Sequence, residues 1–340
     1  MTSRRALGYI VSVLLAGCSA GQVTNIPVAN APSTVTPDLR AHSAVSGQIY
    51  VANYSNNTIT IYSPNGATEK PTISQGISSP RALAFDKYDN LYVANYGNNT
   101  VTVYKPGATK PSRTITAGIY YPYALAIDDS QNLYVANYYG NSVTIYAPGR
   151  RALKKSITQS ISYPRALLYD PSKKRLYVAN SGTYNVTVYP KFKTNILLTI
   201  SQGISSPVAL AMDLDRNLYV VNQGNNTITV YKRTNTERPK TISSVLSSPI
   251  SIGIGKAQTL FAANSGNSTV TAYSHLKFNP IRTISSGVSS PQSLVISSSG
   301  FIYVANYGTS AVTVYGPAGI NPISTIQGGI SYPIDIKLAP

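Results

Sequence analysis

Three observations in the amino-acid sequence predict an all-β fold built from seven repeated four-stranded units. The first is a phrase that returns at a fixed interval. NLYVANYGNNTVTVY begins at residue 90, and close variants begin at 48, 132, 175, 217, 259 and 301. Their opening aliphatic residue falls at Ile49, Leu91, Leu133, Leu176, Leu218, Leu260 and Ile302, a spacing of 42 residues with a single 43. The second is a companion phrase with the same spacing. It reads SSPRALAFD from 78, YYPYALAID from 120, SYPRALLYD from 162 and SSPVALAMD from 205, then drifts to SSPISIGIG, SSPQSLVIS and SYPIDIKLA. The third is local: short runs of Val, Ile, Leu, Tyr and Thr alternate by two and are bounded by Gly, Asn, Asp or Pro. That is strand patterning, not the three-and-four spacing of a helix.

Each repeat divides into four strands. Between residues 81 and 118 they are RALAFD, NLYVANY, TVTVY and SRTITAG. Four strands per period of about 40 to 50 residues make one blade of a β-propeller. The ends of the chain predict how the ring closes. The first copy, from Ile49, lacks a preceding SPxAL strand, and SYPIDIKLA reaches the C-terminus with no YVAN strand after it. Residues 334 to 339 are therefore expected to form the innermost strand of the blade whose outer strands come from 48 to 75. Closure of this kind leaves no unpaired sheet edge at the junction, the usual liability of β-architecture. The prediction is a seven-bladed β-propeller over residues 47–340.

The YVAN copies, the SPxALxxD phrase and the spacing resemble the NHL and YVTN families of β-propeller repeats. The resemblance covers roughly residues 47 to 340. It implies the fold but selects no activity, because such propellers serve as enzymes, receptors and scaffolds alike.

Residues 1–18, MTSRRALGYIVSVLLAGC, place Arg4 and Arg5 before an apolar run that is short for a transmembrane helix and suited to a signal peptide. LAGC, at 15 to 18, resembles the bacterial lipobox, which implies cleavage before Cys18 and its modification by a diacylglyceryl group. Cys18 is the sole cysteine, so no disulfide competes for it. SRRAL faintly resembles a twin-arginine signal, although two arginines also make an ordinary basic n-region. Residues 19–46 shift to Ala, Pro, Thr, Ser, Asn and Val and read as a flexible tether. The expected location is extracytoplasmic, lipid-anchored to a bacterial cell membrane or outer membrane.

The net charge of +17 is unevenly placed. In an up-and-down blade, the loops joining strands one–two and three–four share one face, and the other loops share the opposite face. The first face collects KPGATKPSR, PGRRALKK, DPSKKR, PKFK and KRTNTERPK, whereas the second has Arg81, Arg165 and little else that is charged. A one-sided positive field favours anionic partners such as phospholipid headgroups or lipopolysaccharide. Scattered solubilising lysines would give the same count. Nucleic acid is not expected, since no recognition motif accompanies the charge.

Repeated residues read as architecture. The YVAN asparagines, Asn53 to Asn306, are expected to bond their own turn backbone, and Asp86, Asp128, Asp170 and Asp213, which precede turns, are likewise read as structural. Departures from the repeat are more informative. After the Pro that opens each innermost strand stand Arg81, Tyr123, Arg165, Val208, Ile250, Gln292 and Ile334. Arg81, Tyr123 and Arg165 are therefore candidate ligand-binding residues, with Tyr120, Tyr121 and Tyr163 in the flanking loops. Further tyrosines crowd that face: Tyr54, Tyr96, Tyr138, Tyr139, Tyr184, Tyr307 and Tyr332. Arg offers forked hydrogen bonds and Tyr a stacking surface, which suits an anionic sugar or a peptide carboxylate. The alternative is that the rings pack only on neighbouring loops.

No catalytic residue, cofactor or metal is expected. His42 lies in the tether, and His275, Glu69 and Glu237 lie in outer loops. No Ser-His-Asp set, CxxC, HExxH or phosphate loop occurs. Asp335 is the acid on an innermost strand near the mouth, and a structural pair with Arg81 is expected for it. The sequence thus favours a non-enzymatic binding or scaffold module of the cell envelope. A lactonase- or lyase-type propeller enzyme is the alternative.

Overall fold

The computed structural model describes residues 47–64, 71–234, 238–275 and 277–340. The predicted signal segment with Cys18, the tether 19–46, and Glu69 and Glu237 lie outside the described residues. Seven antiparallel sheets form a ring, the predicted seven-bladed β-propeller. The innermost strands are Pro80–Phe85, Pro122–Ile127, Pro164–Asp170, Pro207–Met212, Pro249–Ile254, Pro291–Ile296 and Pro333–Leu338. We number the blades by the YVAN copies, so that blade 1 holds Ile49–Asn53 and blade 2 Leu91–Asn95.

Closure follows the prediction. Pro333–Leu338 pairs antiparallel with Ile49–Asn53, and Val51 lies opposite Ile336. Thr58–Tyr62 pairs on the other side, and an Ile59–Ile73 bridge adds the outermost edge. Ile336 is buried, and half-buried Ile334 and Leu338 pack against the flanking cores. The inner strand of blade 1 also touches those of blades 2 and 7, so the C-terminus completes the channel wall.

The second strand of each blade is buried on both faces, because the blades stack face to face around the ring. Most buried polar positions there are consequently hydrogen-bonded, as burial requires, although Asn264 Oδ1 and the Tyr177 hydroxyl have no hydrogen-bond partner. Asn95 Nδ2 donates to Thr102 Oγ1 at 2.9 Å on the next strand, and Asn222 does the same to Thr229 at 2.8 Å. Its carbonyl reaches outward: Asn95 Oδ1 accepts from Ser78 N–H at 3.1 Å, and Asn137 Oδ1 from Tyr120 N–H at 2.9 Å. These asparagines are structural, but their partners differ from expectation. Apart from Asn264, they tie the cross-strand hydroxyl to the loop entering the innermost strand, because a fully buried amide must find its partners within the protein. The aspartates cap the turns they precede: Asp86 Oδ1 accepts from Tyr88 and Asn90 N–H, and Oδ2 from the Tyr92 hydroxyl.

A second seven-fold device fastens blade to blade. The Tyr that ends each third strand is fully buried and donates its hydroxyl to a carbonyl of the preceding blade. Tyr104 reaches Gln75 at 2.6 Å, Tyr146 reaches Ala117 at 2.5 Å and Tyr315 reaches Ser286 at 2.6 Å. Tyr62 bonds Gly328 across the closure.

Candidate functional site

The geometry of the channel mouth starts from the Pro that opens each innermost strand. The preceding residue takes a left-handed conformation, with φ of 42° at Ser79, 50° at Tyr121 and 46° at Tyr163. Neighbouring blades hold these turns. Tyr121 N–H donates to Asn99 Oδ1 at 2.6 Å, and Tyr163 N–H donates to Asn141 Oδ1 at 2.8 Å. Pairing with the second strand then skips a residue: Pro80 faces Asn95 and Ala82 faces Ala94, leaving Arg81 unmatched. The same bulge frees Tyr123 and Arg165. A bulge re-aims the side chain of its extra residue, and here the freed positions ring the mouth of the channel.

Arg81, Tyr123 and Arg165 come together. The Arg81 guanidinium lies 4.1 Å from the centre of the Tyr123 ring and donates to its hydroxyl. Tyr123 stacks on Tyr138 with centroids 5.1 Å apart and planes 30° apart. Arg165 sits 5.9 Å from the Tyr123 centre and 5.7 Å from that of Tyr138. One Arg165 nitrogen donates to Gln223 Oε1 at 3.2 Å, while its Nε is buried without a hydrogen-bond partner. Neither arginine has a carboxylate partner among the described residues. Two cations thus stand at the mouth against aromatic faces.

Beside them opens a cavity of about 260 Å³, lined by Tyr54, Arg81, Tyr96, Tyr123, Tyr138, Tyr139 and Arg165. Burial, with Tyr139 and Tyr54 nearby, pushes the Tyr96 phenol up to about 12 against the opposing pull of Arg81. At neutral pH it is a protonated donor. Tyr120, Tyr121 and Tyr163 stand one layer out. Tyr121 packs edge-on against Tyr96 and Tyr139 at 4.9 Å, Tyr120 against Tyr121 at 4.9 Å, and Tyr163 against Tyr138 at 5.2 Å. The rings lining the cavity instead include those directly after YVAN. Their signal was present in the sequence as NY, NY and NYY following the second strand of blades 1 to 3.

Asp335 departs from expectation. It does not pair with Arg81. One oxygen accepts from Leu83 N–H at 2.9 Å and the other from Ser293 Oγ at 2.9 Å, bridging the inner strands of blades 2, 1 and 7. The reason is placement: Asp335 lies one residue beyond the bulge, within the channel wall, while Arg81 turns outward to Tyr123. Lys337 Nζ lies 3.9 Å away. Elsewhere the channel wall is mainly aliphatic, with Leu83, Leu125, Leu167, Leu210, Ile252 and Leu294. His275 is remote, its Nε2 3.0 Å from Asp213 and 3.4 Å from Asp215 between blades 5 and 6. No group of three or more His, Cys, Asp or Glu converges as a metal-binding set among the described residues.

Fold and mouth together define the class, a seven-bladed β-propeller with an off-centre tyrosine–arginine mouth. A family model described as lactonase, 7-bladed beta-propeller, matches residues 109–212. A Bacteroides fragilis structure described as a 6-phosphogluconolactonase superposes with TM-score 0.72 at 15% identity, covering 91% of this chain and 100% of that one. A functionally unknown protein from Desulfotomaculum acetoxidans gives 0.71 at 13% identity, covering 86% and 99%. A streptogramin B lyase gives 0.67 at 12% identity, covering 76% and 87%. At these identities the likeness is one of fold. Comparison with curated protein sequences finds no match.

Proposed function

We propose that this chain is a lipid-tethered, extracytoplasmic binding propeller of the bacterial cell envelope. Its mouth at blades 2 to 4 would receive the carboxylate of an acidic sugar or a peptide. One observation carries the reading: Arg81 and Arg165 stand beside a tyrosine-lined cavity without a carboxylate partner among the described residues. A bound carboxylate would gain charge-assisted hydrogen bonds from Arg, and a sugar ring or side chain would lie on the tyrosine faces. An acceptor that reached the buried Arg165 Nε would also relieve an unpaired donor, which costs about 1–3 kcal/mol. The NHL and YVTN resemblance supports the repeat class, and LAGC supports the anchor at Cys18.

A second reading, a lactonase- or lyase-type enzyme, draws on the family match to residues 109–212 and on the structural neighbours. Its difficulty is the channel. Asp335 is engaged on both oxygens by the inner strands, and neither described acids nor His275 join it. The deciding experiment screens the protein on glycan and peptide arrays and, in parallel, on lactone hydrolysis. The proposal expects acidic ligands to bind and the Arg81→Ala/Arg165→Ala double variant to lose them. Turnover of a lactone that Asp335→Asn abolishes would support the enzyme instead.

A further inference from the structure

The face opposite the tyrosines carries three features that repetition does not require. The first is a cleft of about 610 Å³ between the outer edges of blades 2 and 3, lined by Ser112, Arg113, Gly149, Arg150, Arg151 and Ala152. Arg113 is held at its floor. It donates to the Tyr92 hydroxyl at 3.2 Å, and its guanidinium carbon lies 5.8 Å from the Tyr92 ring centre. Tyr92 in turn donates to Asp86 at 3.2 Å. Burial above all, and then Asp86, raises the Tyr92 phenol, so this relay stays protonated and Arg113 meets a neutral hydroxyl. Arg113 Nε is buried without a hydrogen-bond partner. Gly149, at φ +71°, makes the turn that brings Arg150 and Arg151 alongside. None of the three arginines has a carboxylate partner among the described residues.

The second feature is aliphatic. Leu153, Leu197, Leu214, Ile281, Ile320 and Ile323 are exposed, Leu214 to 88%, and all lie in the loops or strand ends of this face. The exposed large residues of the opposite face are mainly tyrosines. Exposed leucine and isoleucine tips among arginine and lysine suit the boundary between headgroups and acyl chains, where apolar burial adds to attraction for anionic lipid. A soluble anion would make no use of them. The third feature is where the chain enters. Gly47 N–H donates to Ala339 O at 3.0 Å, at the end of the inner strand and therefore on this same face.

From these we infer that the basic face lies against an anionic phospholipid bilayer, with the Arg113–Arg150–Arg151 cleft as the seat for a headgroup phosphate. The inference takes from the proposed function only that the chain works at a bilayer. The tyrosine mouth then points away from the lipid, open to its ligand.

The test uses the full chain with vesicles of phosphatidylcholine alone or with added phosphatidylglycerol, followed by co-sedimentation at low and high salt. The expected result is preference for the anionic vesicles, lost as salt rises. Each arginine near such a surface contributes about 1 kcal/mol, or about five-fold. Arg150→Ala/Arg151→Ala, both exposed, should lose about 25-fold of that preference, and the triple variant with Arg113→Ala about 125-fold. Binding to both vesicle types alike, insensitive to salt, is what an N-terminal anchor alone would give. That result would overturn the docking face and leave the tethered reading standing. Unchanged preference in the double variant would overturn the cleft as its seat. Binding of soluble glycerophosphoglycerol as tightly as vesicles would replace the bilayer by a small anion.

Discussion

The two faces of this propeller are built from the same repeat and yet differ in what they display. On one, the chain enters each inner strand through a left-handed residue and a bulge, which aims Arg81, Tyr123 and Arg165 at the channel mouth. On the other, the loops carry most of the lysine and arginine, together with exposed aliphatic tips. Strand positions barely vary, because the second and third strands are buried on both faces and any change there is felt by two neighbouring blades. Loop positions meet water and tolerate divergence. What distinguishes the faces is therefore confined to loops and bulges, where a repeat protein can acquire a site without endangering its ring.

The most damaging change should be one that abolishes both faces at once. Removing Pro333–Leu338 strips the inner strand from blade 1 and takes Asp335 from its bridge between blades 7 and 2. The loss comprises several main-chain hydrogen bonds at about 0.5–1.5 kcal/mol each and the buried Ile336 at about 1.5–3 kcal/mol. That is comparable with the whole stability of a typical domain, about 5–15 kcal/mol. Thermal melting should show an unfolded or grossly destabilised chain; a truncated protein that melts like the full one would mean that closure does not rest on this strand.

Alkaline pH should come next, and it acts on the ring rather than on either face. Burial pushes the Tyr146 and Tyr273 phenols up to about 12, with hydrogen bonds from Thr144 and Thr271 opposing it. A folded-state pKa above the ordinary value of 10.0 means that stability is complete below about pH 10 and is lost as pH rises through the folded value. Phenolate absorbance should therefore lag that of the unfolded chain above pH 10 and then rise together with cooperative unfolding, a loss of a few kcal/mol in total. Independent titration of every tyrosine near 10 would contradict the buried seven-fold fastening.

A change confined to the mouth should spare the ring. Arg81→Ala/Arg165→Ala is expected to weaken an acidic ligand by about 1.5–3 kcal/mol per lost charged contact, read by calorimetry, with no fall in melting temperature beyond a few degrees. Normal ligand binding by this variant would move the site elsewhere. The smallest effect is expected from one fastening alone. Tyr104→Phe deletes a single hydrogen bond to Gln75 and should cost about 0.5–1.5 kcal/mol in denaturant unfolding.

The sequence exposed the architecture because each blade must solve the same packing problem, so the period, the strands and the C-terminal closure were all legible. It also exposed Arg81, Tyr123 and Arg165, since a departure from a repeat stands out. It did not expose the partners. Asp335 was expected to meet Arg81, but a one-residue bulge sends neighbouring side chains in different directions, and spacing along a strand does not reveal a bulge. Nor did it separate the loop tyrosines: Tyr54, Tyr96, Tyr138 and Tyr139 line the cavity while Tyr120, Tyr121 and Tyr163 do not, a division set by how adjacent loops pack. The YVAN asparagines were legible as structural, but their bonds to Thr and to the entry loop depend on how blades stack.

The division between the faces can be tested directly with two single-site probes. In a Cys18→Ser background no other thiol remains, so Leu214→Cys and Tyr139→Cys can each carry an environment-sensitive fluorophore. On adding vesicles rich in phosphatidylglycerol, the probe at Leu214 should shift to the blue and the probe at Tyr139 should not. A shift at Tyr139 with Leu214 unchanged would contradict that division, placing the tyrosine mouth rather than the basic face against the lipid.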